Sequence, residues 1–431
     1  MMIPTIMPNP PTDPPPKPLD GIRVLDFTRH MAGPYATLAL SDYGAEVIKV
    51  ESLTGDPSRR TGVDFVGEES ALFLNWNRGK RSIALDLRRP EAIAAIERLV
   101  PDVDIVVENY KPGQADKIGI GYERLSGINE RIVYCSISAF GPDGPLSPFP
   151  GTDPVVQAAS GVVSVTGEPD RGPSLVGVPI ADFTGAMLCV QAALLGLIAR
   201  ERTGRGQHIQ VPMLAGLLSS LTTRLASYWT TGEDPQRFGG AHSVVMPYEV
   251  FATADGYAVA GVWGGNDGWG PFCEAVGLPE LAAEERYAEN KDRVRLREEI
   301  KPLLDAEFAK RSTAAWEELF RSRGVLFNPV YSFSEILEHP HVTGSGLIQS
   351  VEHPTAGEVP QLGPVLELSE TPGAIAGPPP LLGQHTAEVL AEAGLGEEEI
   401  AAFEAEGIAR FADRDRDGEA QAIPPSATRA G

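Results

Sequence analysis

The chain has 431 residues, 42% of them apolar, enough for two domains or one large discontinuous one. Its formal charge of −23 argues against nucleic acid as a partner, since that affinity rests on neutralising phosphates. Three scattered cysteines, Cys135, Cys189 and Cys273, form no CxxC and no even framework, which fits a reducing, cytoplasmic setting.

Residues 1–18 are Pro-rich and read as an extended or disordered tail, with neither the basic nor the apolar region of a secretory signal. From Leu19 the pattern is α/β. Strands are expected at 22–27, 45–51, 81–87, 104–110 and 131–140, with helices at 31–44 and 90–100 between them. That alternation predicts a largely parallel, doubly wound sheet. Residues 148–180, rich in Gly and Pro, read as a long irregular connection of the kind that carries function. It delivers Asp182 to a helix over 184–202, and 208–213 and 214–229 follow as strand and helix. The longest apolar run, Ala186 to Ala199, is interrupted by Gln191 and Gly196 and reads as too short for a membrane span.

From about Thr231 the character changes to a smaller α+β unit. It has a hairpin over 250–263 about Asp255-Gly256 and helices beginning near Asp267, Arg293 and Thr313. After Pro340, loops and a GPPP linker lead to two short amphipathic helices, and the chain after about Asp413 reads as a disordered tail. The resulting division is a large domain over 19–230 plus 333–412, a small domain over 231–332, and tails at 1–18 and 413–431.

The motifs exclude several chemistries. The first strand runs into DFTRHMAGP rather than GxGxxG, and Gly119-Ile120-Gly121 lacks the strand–helix setting of a dinucleotide site. No Walker loop, HExxH or GxSxG is present, and the histidines form no metal cluster; His339-Pro340-His341 reads as a turn. Asp182 remains, an acidic residue where a Gly-rich segment meets a long helix. Local pattern leaves two readings open: a plain helix cap, or a carboxylate held ionised by the helix terminus and used as a nucleophile.

Collinear stretches then add a resemblance. LDGIRVLDFTRHMAGPYAT (19–37), NRGKRSIALDL (77–87), VVENYKPG (106–113), GTDPVVQAASG (151–161), VGVPIADFTG (176–185), RERTGRGQ (200–207) and PPPLLGQHTAEVL (378–390) together resemble the class III CoA-transferase family. Its members include formyl-CoA transferase and a divergent racemase branch. The resemblance implies a Rossmann-like large domain with an inserted smaller domain, in an interlocked homodimer. It implies an enzyme that moves coenzyme A from an acyl-CoA to a small carboxylic acid, through covalent intermediates on Asp182. Coenzyme A is then a substrate, and no permanently bound cofactor or membrane is implied.

The family's CoA-binding pattern falls on Met31 and Ala32, Ser52, Leu85 to Arg88, Asn109 to Lys111 (with Tyr110 between), Lys117, and Ser138 to Gly141, which includes Phe140. Arg29, Arg88, Lys111 and Lys117 are its basic residues. They sit in the nearly neutral stretch 21–120, which carries 13 Lys and Arg against 15 Asp and Glu. Cations suit the pyrophosphate and 3′-phosphate of CoA. Two positions depart from the pattern: Ser52 stands where relatives often have arginine, and Ser138 where formyl-CoA transferase has lysine. A Gly-rich cover over the aspartate matches residues 238–251, here with only Gly239 and Gly240.

The racemase branch needs a histidine in a GHD triplet, and this chain has Thr152 there. Threonine shuttles no proton near neutral pH, and nothing in the sequence places His242 as a substitute. The transferase reading therefore leads; an epimerase and a CoA-binding protein without turnover stand behind it. Succinyl-CoA and short dicarboxylates are the expected donor and acids.

Overall fold

The computed structural model describes residues 16–262 and 266–412. The tail expected after Asp413, most of the N-terminal tail and the end of the 250–263 hairpin lie outside them. The chain divides into two compact units. One comprises the residues up to Ser160, Val178–Ser220 and the residues from Ser345 onward; the other comprises Gly161–Gly177 and Leu221–Gly344.

The first unit is built on one seven-stranded sheet. In spatial order its strands are Ala409–Arg410, Lys80–Leu85, Glu46–Glu51, Arg23–Asp26, Ile105–Glu108, Val133–Ser138 and Gln207–Pro212. Every neighbouring pair is parallel except the short antiparallel edge strand Ala409–Arg410. Leaving that edge aside, the strands run 3-2-1-4-5-6 in chain order, the doubly wound arrangement of dinucleotide-binding folds. The strand order reverses between Arg23–Asp26 and Ile105–Glu108. Crevices that hold ligands open at such a reversal, beyond the carboxyl ends of the strands.

Burial on both faces explains why these strands read as continuous apolar runs. Leu25, Ile48, Ile83, Val106 and Tyr134 face a core closed by the helices Pro90–Leu99 and Thr386–Glu392. Residues of the opposite parity meet the helix Ile180–Thr203: a side chain at Gly196 would stand 2.4 Å from Val133 Cγ1 and 3.1 Å from Ile209 Cδ1. This helix is 24 residues long and apolar enough, by length and composition alone, to cross a membrane. In the sequence Gly196 reads as an interruption of the apolar run. In the fold it lets the helix lie close on the sheet.

Three elements differ from expectation. The Gly/Pro-rich connection contains a regular helix, Asp153–Ser160. The helix expected over 214–229 is two, Met213–Ser220 and Thr222–Thr231. A hairpin pairs Ile348–His353 with Gly357–Leu362 where only loops were expected.

In the second unit Tyr248–Ala252, Tyr257–Gly261 and Leu326–Pro329 form an antiparallel sheet, with the anticipated turn at Asp255-Gly256. Asp255 Oδ1 accepts the backbone N–H of Thr313 at 2.7 Å and so ties that turn to the helix Thr313–Ser322. Phe251 stacks on Phe308 at 4.2 Å, and Trp316 and Phe320 complete an aromatic core. Each such ring contributes roughly 2–3 kcal/mol by leaving water.

The observed bounds move residues 161–177, 221–230 and 333–344 into the second unit. For the first of these the cause is local. The Gly239 N–H bonds to Gly167 O at 3.0 Å, and the Arg237 guanidinium donates to the carbonyls of Glu168 and Arg171.

Candidate active site

Asp182 sits in the first turn of Ile180–Thr203, three residues after the capping position at Pro179, so it is not itself the cap. Asp153 does the capping from the neighbouring helix. Its Oδ1 accepts the N–H groups of Ala181 at 2.7 Å and Asp182 at 3.3 Å, while its Oδ2 accepts Gln157 Nε2 at 2.7 Å. No hydrogen bond from the described residues reaches the half-buried carboxylate of Asp182.

Its acidity departs from the sequence expectation. A helix terminus was expected to hold this carboxyl low; instead burial, followed by the charge of Asp153, pushes it up to about 6. The capping bonds that would have favoured the charged form are taken up by Asp153. At neutral pH Asp182 is therefore mostly ionised yet more basic than an ordinary carboxylate. Thr152, in the expected GTD triplet, immediately precedes Asp153.

Most of the expected CoA residues line cavities where the strand order reverses. A cavity of about 460 Å³ is lined by Arg29, Ser52, Leu85, Leu87, Arg88 and Tyr110, with Leu53 and Ile118 supplying an apolar wall that the sequence had not singled out. A smaller one of about 120 Å³ is lined by Asn109, Tyr110, Lys111, Ser138, Phe140 and Gly141. Tyr110 borders both. Met31, Ala32 and Lys117 line neither: Met31 precedes the helix Ala32–Asp42, Ala32 is buried in it, and Lys117 is exposed on Gln114–Ile118.

The two strand ends at the reversal are clamped together. Asn109 Oδ1 accepts the N–H of Arg29 at 2.9 Å, and its Nδ2 donates to Arg29 O at 2.7 Å. The Arg29 guanidinium lies 4.7 Å from the centre of the Tyr110 ring, a cation–π contact that leaves its donors available. Arg88 is almost fully exposed and pairs with Asp86 at 2.8 Å. The two serines in departed positions close turns: Ser52 Oγ donates to Gly55 O at 3.1 Å, and Ser138 Oγ accepts the Gly141 N–H at 3.1 Å.

Beneath Arg29 lies a buried ionic network. Lys80 meets Asp26 at 3.0 Å and Lys49 meets Asp56 at 2.9 Å, all four side chains fully enclosed. Lys49 Nζ also donates to Thr28 O, and Asp56 Oδ1 accepts the N–H of His30 at 3.1 Å. His30 has φ +66°, a left-handed conformation uncommon for a residue with a side chain, which these bonds help hold. Burial opposes the charge on Asp26, but Lys80 and Lys49 outweigh it and hold the carboxyl below its usual range. Nearby, burial pushes Glu108 up to about 7 while it accepts the N–H of Tyr110 at 2.7 Å.

Gly239 and Gly240 belong to the second unit. Gly239 has φ +59°, and Gly240 O accepts the Val250 N–H at 3.0 Å. His339, in the expected turn, starts the short helix Pro340–Thr343, its Nδ1 accepting the His341 N–H at 3.1 Å.

A strand-1/strand-4 crevice suited to a nucleotide, with a carboxylate on an adjacent helix, narrows the choice, and comparison decides it. Residues 19–386 match the model of CoA-transferase family III. The chain belongs to that family. A mouse protein named succinyl-CoA:glutarate CoA-transferase is 40% identical over 87% of this chain and 86% of its own length. A succinate–glutarate CoA-transferase from Agrobacterium fabrum is 39% identical over 87% of this chain and 95% of its own. The crystal structure of a CAIB/BAIF family protein from Brucella suis superposes with a TM-score of 0.77 and 35% identity, covering 88% of this chain and 99% of that one. The enzyme is a class III CoA-transferase, with CoA thioesters as substrates.

Proposed function

We propose that Asp182 is the nucleophile of this CoA-transferase, that succinyl-CoA is its donor, and that short dicarboxylic acids such as glutarate are its acceptors. The observation that carries the mechanism is the Asp182 carboxylate, raised to about 6 and reached by no hydrogen bond from the described residues. The acid identities rest on the names of the mouse and Agrobacterium relatives.

The chemistry runs in four displacements. An Asp182 oxygen attacks the donor's thioester carbonyl; the C–S bond breaks, leaving a mixed anhydride and CoA thiolate. The thiolate attacks the aspartyl carbonyl, forming an aspartyl–CoA thioester and releasing succinate. The acceptor carboxylate attacks that thioester and regenerates thiolate on a new anhydride. Thiolate finally attacks the acceptor's carbonyl, giving its CoA ester and restoring Asp182. Protons balance throughout, and only carboxylates and thiolate leave. Asp153 holds the first turn of the helix and, by its charge, keeps the nucleophile basic. Arg29, Lys111 and the wall formed by Leu53 and Ile118 are suited to the phosphates and the adenine of CoA.

Water must be kept from the anhydride while it lasts. We also infer pairing with a second copy, supported by the exposed Leu194, Leu195 and Ile198 on the long helix.

The test is a transfer assay with succinyl-CoA and a panel of acids, following each acyl-CoA by chromatography. Glutaryl-CoA should form with the parent enzyme and fall by at least about 10³-fold with Asp182→Asn. Undiminished transfer by that variant would defeat the mechanism.

A further inference from the structure

A polar chain crosses three neighbouring strands of the first unit's sheet and ends against the cavities. Glu108 closes the strand Ile105–Glu108, and its Oε2 accepts the N–H of Tyr110, the residue that borders both cavities. Ser136 stands beside Glu108 in the sheet register, and its hydroxyl is a hydrogen-bond partner of that carboxyl. On its other side Ser136 Oγ meets His208 Nε2 at 2.8 Å, on the edge strand Gln207–Pro212. The imidazole stacks on Tyr122 at 5.1 Å and lies edge-on to Tyr134 at the same distance. Glu108 and Ser136 are buried, whereas His208 is exposed.

Ser136 has one hydrogen to give, so its two partners cannot both receive it. With Glu108 ionised, the hydroxyl donates to the carboxylate and Oγ accepts from His208 Nε2–H. With Glu108 protonated, the carboxyl O–H donates to Oγ and the hydroxyl turns to an unprotonated Nε2. Passing from the first state to the second moves two hydrogens one place each, from Nε2 to Oγ and from Oγ to the carboxylate. A proton taken from water at Nδ1 of the exposed ring restores the balance, and its charge has reached a buried carboxyl. The Tyr110 N–H bond differs between the states, because an ionised acceptor holds a donor about twice as strongly as a neutral one.

The surroundings let both states be reached. Burial raises Glu108 to about 7, against the bonds from Ser136 and Tyr110 and with the charge of Asp116 on the helix Gln114–Ile118. Burial lowers His208, and the charges of Asp116 and Glu123 oppose it. The phenols of Tyr110 and Tyr134 and the thiol of Cys189 on the long helix also face Glu108.

We propose that Glu108 is a positioning residue for the CoA cavity and that Ser136 links its protonation to His208 at the sheet edge. The ionised carboxylate fixes the Tyr110 turn; the protonated one releases it. The proposal rests on the reading that the cavities bordered by Tyr110 hold acyl-CoA.

The experiment measures CoA binding by calorimetry between pH 5.5 and pH 8.5, and follows the His208 ring by NMR over the same range without ligand. The parent enzyme is compared with Glu108→Gln, Ser136→Ala and Ser136→Thr. At pH 8 Glu108→Gln should bind CoA on the order of 10-fold more weakly than the parent, and the gap should close as pH falls through about 7. The ratio of the two affinities removes the titration of CoA's own phosphates. The parent's His208 signal should show a second inflection where Glu108 titrates. That inflection should vanish in Glu108→Gln, fade in Ser136→Ala and return in Ser136→Thr.

A parent-to-Glu108→Gln affinity ratio constant with pH, or a His208 titration unaltered by Glu108→Gln, would overturn the proposal while leaving the cavity reading standing. CoA affinity unchanged by Arg29→Gln at every pH, with His208 still reporting Glu108, would remove the cavity reading and retain the proton link.

Discussion

Replacing Asp182 by Asn should stabilise the fold while abolishing transfer. The carboxyl rises from 3.8 to about 6 on folding, because burial and Asp153 both disfavour its charge. A rise of that size corresponds to about 3 kcal/mol at pH values where the native carboxylate is ionised. The sign is that of a raised acid: the native state binds the proton more tightly than the unfolded chain. The folded protein therefore loses stability as pH rises from about 4 through about 6 and carries the full penalty above that. Asparagine has no charge to desolvate and matches the side chain in shape. Chemical denaturation of both proteins between pH 4 and pH 8 measures the difference. The curves should nearly meet at the acid end and separate by up to about 3 kcal/mol at neutral pH, Asp182→Asn being the more stable. Parallel curves, or a less stable variant at pH 7.5, would refute the electrostatic description of this site. The parent's transfer rate should fall as pH drops through about 6, where the nucleophile takes up a proton.

Asp153→Asn keeps an oxygen to cap Ala181 but removes the charge beside Asp182, so the acid limb of the pH–rate profile should move below about 6. Asp153→Ala should in addition cost about 1 kcal/mol of stability through the lost cap, visible in the unfolding midpoint. Arg29→Gln should raise the KM for acyl-CoA on the order of 10-fold and weaken its salt dependence, with the acceptor KM unmoved. Gly196→Ala would press a methyl group to within 2.4 Å of Val133 Cγ1 and should destabilise by about 1–3 kcal/mol in denaturation, without a selective change in any KM.

The sheet was readable because its strands are buried on both faces and leave unbroken apolar runs, as in Ile105–Glu108 and Val133–Ser138. The Ile348–His353 hairpin left no such signal: most of its residues are exposed, so nothing in their polarity fixes a strand period. The helix Asp153–Ser160 was hidden by the Gly and Pro residues around it, which dominate any local reading. Nor could Gly196 be recognised as a contact until Val133 lay beneath it.

At the site, the residues that line the cavities at the two strand ends were legible because each lies close to a recognisable motif. The acidity of Asp182 was not, because its causes are burial in the folded chain and, second, the charge of Asp153, 29 residues earlier, which also takes up the capping bonds. The only sequence signal for it was Asp153 itself, the last residue of the GTD triplet.

The covalent role of Asp182 is tested most directly by trapping its intermediate. The enzyme is incubated with succinyl-CoA, quenched, digested and examined by mass spectrometry, with and without hydroxylamine. A CoA adduct is expected on the peptide containing Asp182, removed by hydroxylamine and absent from Asp182→Asn. An enzyme that transfers CoA efficiently while that peptide stays unmodified, or carries the adduct on another residue, would contradict this role.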